Sequence, residues 1–346
     1  MDKKYTIKDI AKMAGVSKGT VDRVLHNRGK VSPTALEKIN EVLNVIDYEP
    51  NLIARNLKNT KIYRICVLLP DPEIDPYWLP CINGIQEAMT EFKAYSVVIE
   101  THFFNPESTK SFLSTNNNII KQSPDAVLIA PLFHKETLEI VKQYDELGIM
   151  VNTFNNQIEA ESIKGFVGQD LYKSGRVAAS LMNLILTEGQ IAIIHIDESL
   201  KNAVHMQEKE KGFRNYFDEK KIAGFSLTTL KLKHPNVETK FSAFLEENPN
   251  LKGIFITTSK AYQIASILSP LTNKKIALIG YDLVEKNVNF LNQGLVHFLI
   301  HQNQKRQAYL GVSTLAEHFI FRKDIPETIL LPIDIINVEN ASFYVS

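Results

Sequence analysis

The chain has 346 residues, 44% hydrophobic and 23% charged, the composition of an ordinary folded protein of two or three domains rather than a disordered or membrane-embedded one. No apolar run approaches the ~20 residues that a transmembrane helix needs, and Met1-Asp2-Lys3-Lys4-Tyr5 lacks the apolar core of a secretory signal, so the expectation is a cytoplasmic protein with no membrane partner. The formal net charge of zero hides an asymmetry: residues 1–61 hold 12 Lys/Arg against 7 Asp/Glu, the remainder 27 against 32, and a basic head on an acidic body suits a polyanionic partner.

Thr6-Ile7-Lys8-Asp9 has the form of a capping box, with a hydroxyl at the first position and a carboxylate three residues on. Ile7, Ile10, Ala11 and Ala14 follow at helical spacing, and Gly15 ends the helix where the reversal needs positive φ. Ser17 caps a second helix carrying Thr20, Val21, Val24 and Leu25, which Asn27 and Gly29 stop. Ser32-Pro33 opens a third, with Leu36, Ile39, Leu43 and Ile46 as the expected buried stripe. Three short helices with a tight Ala-Gly-Val-Ser turn between the first two make a helix-turn-helix, and Lys18, Gly19, Thr20, Asp22 and Arg23 form a polar outer face on the second.

Thr6-Ile7-Lys8-Asp9-Ile10-Ala11, Ala14-Gly15-Val16-Ser17, Thr20-Val21 and Arg23-Val24-Leu25 resemble the N-terminal signature of the lactose-repressor/galactose-repressor family. The resemblance implies that the helix after Ser17 enters the major groove of double-stranded operator DNA. Lys18, Gly19 and Arg23 then fall at base-reading positions, and Thr6, Ser17, Thr20, Asn27 and Ser32 near phosphates. An arginine fork suits guanine O6 and N7, and hydroxyls at helix starts suit phosphate oxygens. Asp22 stands where many relatives have Ser, so operator preference is not transferable. Tyr48–Lys58 is a short Pro-bounded helix candidate, too short to be stable alone. By resemblance it is a hinge helix in which Leu57 wedges into the central base step and Arg55 meets the minor groove or backbone. The expected organisation is thus a helix-turn-helix domain over 1–49, a hinge over 50–61 and a ligand-binding and dimerisation domain over 62–346.

After residue 61 the pattern changes. Short apolar runs at Arg64–Leu69, Ala126–Ala130, Ile149–Phe154, Gln190–Ile196, Lys252–Thr257, Lys275–Tyr281 and Val296–His301 alternate with amphipathic stretches at Leu79–Phe92, Leu138–Leu147, Tyr172–Leu186, Lys209–Phe217 and Val284–Gln293. That alternation predicts parallel sheets with helical crossovers, in about two α/β subdomains, with ligands beyond the carboxyl ends of the strands. No G-x-G-x-x-G, Walker, G-x-S-x-G or H-E-x-x-H pattern occurs, the nine histidines show no ligand spacing, and Cys66 and Cys81 form no metal or disulfide framework. The expectation is no enzyme, cofactor or metal; the rival is a metabolic enzyme carrying a DNA-binding head.

The body resembles the two-lobed sugar-binding fold shared with periplasmic binding proteins, with chain crossovers near 169, 302 and 333. Asp75-Pro76-Tyr77-Trp78 follows the first strand, where rings could stack on a sugar and Asp75 accept hydroxyls. Gly168-Gln169-Asp170 with Gly175 resembles a crossover segment, in which Asp170 reads as a helix cap. Lys209 in Lys209-Glu210-Lys211-Gly212-Phe213 stands where the family carries Arg, and a point charge lacks the bidentate fork. Thr258-Ser259 replaces Asn-Asp, Asn155 replaces a common Asp, Gly280-Tyr281-Asp282 keeps the ligand-binding carboxylate, and Gln302 matches a further ligand position. The implied protein is a homodimer on a pseudo-palindromic operator whose carbohydrate-type effector alters DNA affinity through the hinge.

Overall fold

The structure, a computed structural model, describes residues 5–25, 29–46, 61–197, 204–271 and 275–344. The chain divides between Lys61 and Ile62 into two compact units.

In the first unit, α1 (Ile7–Ala14) starts from a complete capping box: the Thr6 hydroxyl accepts from the Asp9 amide at 3.3 Å, and the Asp9 carboxylate takes the Thr6 amide at 2.9 Å. Gly15 closes the helix in the left-handed region at φ 65°, where a side chain would be strained. α2 (Lys18–Leu25) is capped by Ser17 Oγ, which accepts from the Thr20 amide at 3.1 Å. α3 (Pro33–Val45) has proline in its first turn, and Ser32 sits at its cap position without bonding through its side chain. Ile10, Ala11, Ala14, Val21, Ile39 and Ile46 form the core, with Val42 and Leu43 against it. Leu36 departs from its expected place in the stripe and is 42% exposed. At 3.6 residues per turn it falls at the margin of the face that Ile39, Val42 and Ile46 define.

The second unit holds two sheets. β1 (Tyr63–Pro70), α4 (Leu79–Phe92), β2 (Val97–Phe104), α5 (Thr109–Gln122), β3 (Ala126–Ile129), α6 (His134–Glu146), β4 (Met150–Asn155) and β5 (Ile163–Gly168) build the first lobe. The chain then crosses, and α7 (Leu171–Ile185), β6 (Gly189–Ile196), α8 (Val204–Glu219), β7 (Phe225–Leu232), α9 (Val237–Glu247), β8 (Leu251–Ile256), α10 (Ala261–Leu268), β9 (Ala277–Tyr281), α11 (Glu285–Asn292) and β10 (Phe298–His301) build the second. α12 (Gln304–Phe321) returns to the first lobe, packing Ala308, Val312, Leu315 and Ala316 against Ile65, Val67 and Leu128. β11 (Thr328–Leu330) joins the first sheet and β12 (Asp334–Ile336) the second, so the chain passes between lobes three times.

The first sheet runs β11-β5-β4-β3-β1-β2, all parallel, with apolar clusters on both faces. The second runs β12-β10-β9-β8-β6-β7 and is parallel except for β12, which pairs antiparallel with β10. That exception has a topological reason: the chain enters from the other lobe without a crossover helix. Sheets covered on both faces explain why the central strands read as unbroken apolar runs. Among the described residues, no helix is long and apolar enough to cross a membrane.

Candidate functional site

Two strands end in residues that leave the sheet in the left-handed region. Asn155, the last residue of β4, has φ 71°, and Asp282, just after β9, has φ 68°. Asn and Asp tolerate this conformation better than most side chains. Each brings a buried polar group to the carboxyl edge of its sheet, where open parallel sheets collect ligands.

These groups form one network across the lobes. The Asp282 carboxylate accepts from Gln302 Nε2 at 2.9 Å, the Gln302 amide at 3.2 Å and Gln304 Nε2 at 2.8 Å. Tyr77 Oη, from the first lobe, accepts from Asn155 Nδ2 at 2.5 Å and Gln302 Nε2 at 3.3 Å. Gln307 donates to the Gln302 carbonyl at 2.6 Å and accepts from Asn155 at 3.3 Å. Burial pushes the Asp282 carboxyl up to about 6, against the opposing pull of the Lys209 ammonium and the Gln302 and Gln304 donors. Burial and the nearby Asp282 charge raise the Tyr77 hydroxyl well above its usual range.

Lys209 enters from α8. Its side chain is 2% exposed, its Nζ lies 3.7 Å from the Tyr281 ring centroid, and it donates to the Thr257 carbonyl at 3.1 Å. An ammonium over an aromatic face is attracted by the ring quadrupole, which offsets part of its lost hydration. A second polar chain fixes the ground behind it. His195 bonds Thr257 Oγ1 at 2.8 Å and Glu210 Oε2 at 2.7 Å, and Glu210 also takes Arg214 Nε at 2.8 Å and the Thr229 hydroxyl. Burial raises the Glu210 carboxyl, but its His195, Thr229 and Arg214 donors outweigh that and hold it at about 2.

The other proposed effector residues sit differently. The Asp75 carboxylate accepts from the Tyr77 amide at 3.1 Å and caps the single turn Pro76–Trp78. Trp78, 3% exposed, lies in the apolar core, edge-on to Phe154 at 6.2 Å. A cleft of about 380 Å³ opens between the lobes beside the 169–170 crossing, lined by Asn156, Gln169, Asp170, Tyr172 and Glu208 among others. None of Asp75, Tyr77, Trp78, Asn155, Lys209, Asp282 and Gln302 lines it, though Asn156 and Glu208 are chain neighbours of Asn155 and Lys209. Asp170 caps α7, accepting from the Lys173 amide at 2.8 Å.

Gln304, Gln307, Thr257 and His195 escaped sequence reasoning, and Tyr281 and Glu210 entered it only as members of motifs, without a role. Three glutamines within Gln302–Gln307 carried the only signal, since polar residues that open a helix and end buried must find partners.

In the first unit, Ser17, Lys18, Gly19 and Arg23 are exposed and Thr20 half-buried, along and just before α2. Thr6 and Ser17 cap their helices, so two of the proposed phosphate-contacting hydroxyls lie at helix N-termini. Asn27, Arg55, Leu57 and the hinge candidate up to residue 60 lie outside the described residues.

Comparison with known proteins matches residues 6–51 to the lacI family of bacterial regulatory proteins and residues 65–323 to a periplasmic binding protein domain. The ribose operon repressor of Lactococcus lactis is 27% identical over 285 residues, 81% of each chain. That of Halalkalibacterium halodurans is 24% identical over 282 residues, 80% of each. Among solved structures, a chain from Bacteroides fragilis assigned as a LacI transcriptional regulator superposes with TM-score 0.77 at 31% identity, covering 82% of this chain and all of that one. A solute-binding protein from Burkholderia graminis in complex with D-arabinose gives TM-score 0.73 at 19% identity, 84% of this chain and 100% of that one, which is likeness of fold.

Proposed function

Since the chain belongs to the lacI family of bacterial regulatory proteins, we propose that the effector of this DNA-binding transcription regulator is a neutral, hydroxyl-rich molecule of the sugar class. The observation that carries this reading is the buried Asp282 carboxylate held by Gln302 and Gln304 where the lobes rejoin. A carboxylate ringed by amides and a tyrosine hydroxyl offers the acceptors and donors that vicinal hydroxyls need. Lys209 supplies one positive charge against one negative, so the site matches a ligand without net charge. The names of the ribose operon repressors and the D-arabinose complex point the same way.

In this reading ligand hydroxyls replace the Gln302 and Tyr77 contacts to Asp282 and Asn155, reached through the cleft at the crossing. Asp75 and Trp78 support that wall from behind. Two chains pair so that their exposed α2 faces meet successive major grooves, with Lys18, Gly19 and Arg23 on bases and Thr6, Ser17, Thr20, Asn27 and Ser32 on phosphates. Arg55 and Leu57 belong to the hinge. The protein works in the cytoplasm, on genes of carbohydrate use, and returns its ligand unchanged.

Thermal denaturation of the full chain against pentoses, hexoses, sugar acids and nucleobases tests the ligand class, and gel shift on operators selected from random DNA tests the coupling. A neutral sugar that stabilises the protein and shifts its DNA affinity is the expected result. Stabilisation by charged ligands alone would overturn the assignment, and turnover of the ligand would favour the enzyme rival.

A further inference from the structure

A second cluster lies on β1 and the edge strand β2, at the opposite end of the first sheet from β5 and β11. Cys66 on β1 pairs in register with Glu100 on β2, and Leu68 with His102, so the parallel alignment sets Cys66, Glu100 and His102 on one face of the sheet. Their thiol, carboxylate and imidazole atoms all lie within 4.8 Å of one another. His102 Nε2 is shielded from solvent yet makes no hydrogen bond, and stands 4.0 Å from Glu100 Oε2. A buried ring nitrogen without a partner is rare and asks for one. The other carboxylate oxygen, Oε1, lies 3.8 Å from Arg64 Nε, which leaves Oε2 turned toward the imidazole.

We propose that Cys66, Glu100 and His102 bind a divalent transition-metal ion of the zinc type. Sulfur, nitrogen and oxygen donors together suit zinc or cobalt and discriminate against magnesium and calcium, which take oxygen alone. Three protein ligands leave a fourth position for water. Cys66 is fully buried, whereas Glu100 is 34% and His102 19% exposed on the edge strand, so an ion enters from the β2 side. On binding, the thiol proton leaves to solvent and the thiolate becomes the ligand. The ion clips β2, an edge strand, to β1, the strand that follows the junction of the two units. Glu100 and His102 are two residues apart, but Cys66 stands 34 residues before Glu100 and 36 before His102, so no short spacing motif announces the set; only the strand pairing does.

Cobalt titration of the untagged, reduced full chain tests this. One equivalent of cobalt should produce the absorption of a cobalt–thiolate bond, zinc should displace it, and magnesium should not. His102→Ala and Glu100→Gln alter edge-strand side chains and should keep the metal-free melting temperature while weakening cobalt at least ~10-fold. Cys66→Ser should abolish the absorption, and because it touches the core its fold is checked by circular dichroism. Absence of the absorption in the folded wild type, or cobalt affinity unchanged in a folded His102→Ala protein, overturns the proposal.

Discussion

Gly175 of α7 faces the backbone of Lys209 in α8 so closely that a methyl group at 175 would overlap the Lys209 carbonyl. Gly212 of α8 stands in the same relation to the Tyr172 carbonyl of α7. Two glycines, one on each helix, thus let the backbones touch and fix where the Lys209 side chain begins.

Gly175→Ala should therefore act on Lys209 at one remove. Forcing the helices apart costs about 1–3 kcal/mol and carries Nζ off the Tyr281 ring and the Thr257 carbonyl. Chemical denaturation should show the loss, and calorimetry a weaker effector, while the helix-turn-helix keeps its helical signal. Full stability and full affinity in this variant would mean that the helix contact does not position Lys209.

Asp282 gives the fold a pH dependence whose sign follows from its burial. Its carboxyl is raised from 3.8 to about 6, so the folded state holds the proton more tightly than the unfolded one. That contribution is complete below about pH 4 and is lost as pH rises through about 6, roughly 3 kcal/mol in all. Asp282→Asn carries no titrating group, so its stability relative to wild type should climb across this window and level off above it. Ligand affinity should fall ~10-fold or more at neutral pH, since a charge-assisted acceptor is gone. Parallel melting curves of the two proteins from pH 4 to pH 8 check the slope.

Glu210 works in the opposite sense. Held at about 2 against an ordinary 4.5, its carboxyl favours the folded state above pH 4.5 and loses that effect as pH falls toward 2. The side chain is one-fifth exposed, so solvent screening reduces the linkage to about 2 kcal/mol. Glu210→Gln should be less stable than wild type at neutral pH, and the gap should close on acidification. Because Glu210 holds His195, and His195 the Thr257 hydroxyl beneath Lys209, the variant should also bind effector less well. A pH-independent gap would assign the effect to packing.

Most central strands were legible because burial on both faces writes them as apolar runs, and the Leu79–Phe92 helix has the bounds its periodicity predicts; β5, between β4 and β11, was not, since its half-exposed start Ile163-Lys164 and Gly165 and Gly168 break the run. The edges were not. β2 and β7 share one half-exposed pattern and carry polar residues such as Glu100-Thr101-His102 and Thr228-Thr229, while β11 and β12 have three residues each. An edge strand is made by its neighbour's hydrogen bonds more than by its own side chains, so period alone does not reveal it. In the site, family resemblance singled out Asp282, Gln302, Asn155 and Tyr77, which share one network, but gave no sign of Gln304 and Gln307. Their partners come from residues distant in the chain, and no local pattern encodes that.

In the proposed reading, the helix-turn-helix separates two kinds of DNA contact. Arg23 is exposed on α2, so Arg23→Ala removes a side chain that carries no part of the core. Stability should be unchanged within about 0.5 kcal/mol, while operator affinity falls by ~1–3 kcal/mol and discrimination relaxes at one base pair. Thr6 is different, since its hydroxyl and amide both bond the Asp9 carboxylate and so set the start of α1. Thr6→Ala should lose about 0.5–2 kcal/mol of stability in this unit and weaken every DNA sequence alike, because a cap and a phosphate contact carry no base information. Selection from randomised duplexes, run beside melting curves for both full-length variants, distinguishes the two. An Arg23→Ala protein that selects the wild-type sequence would show that α2 is not the reading helix.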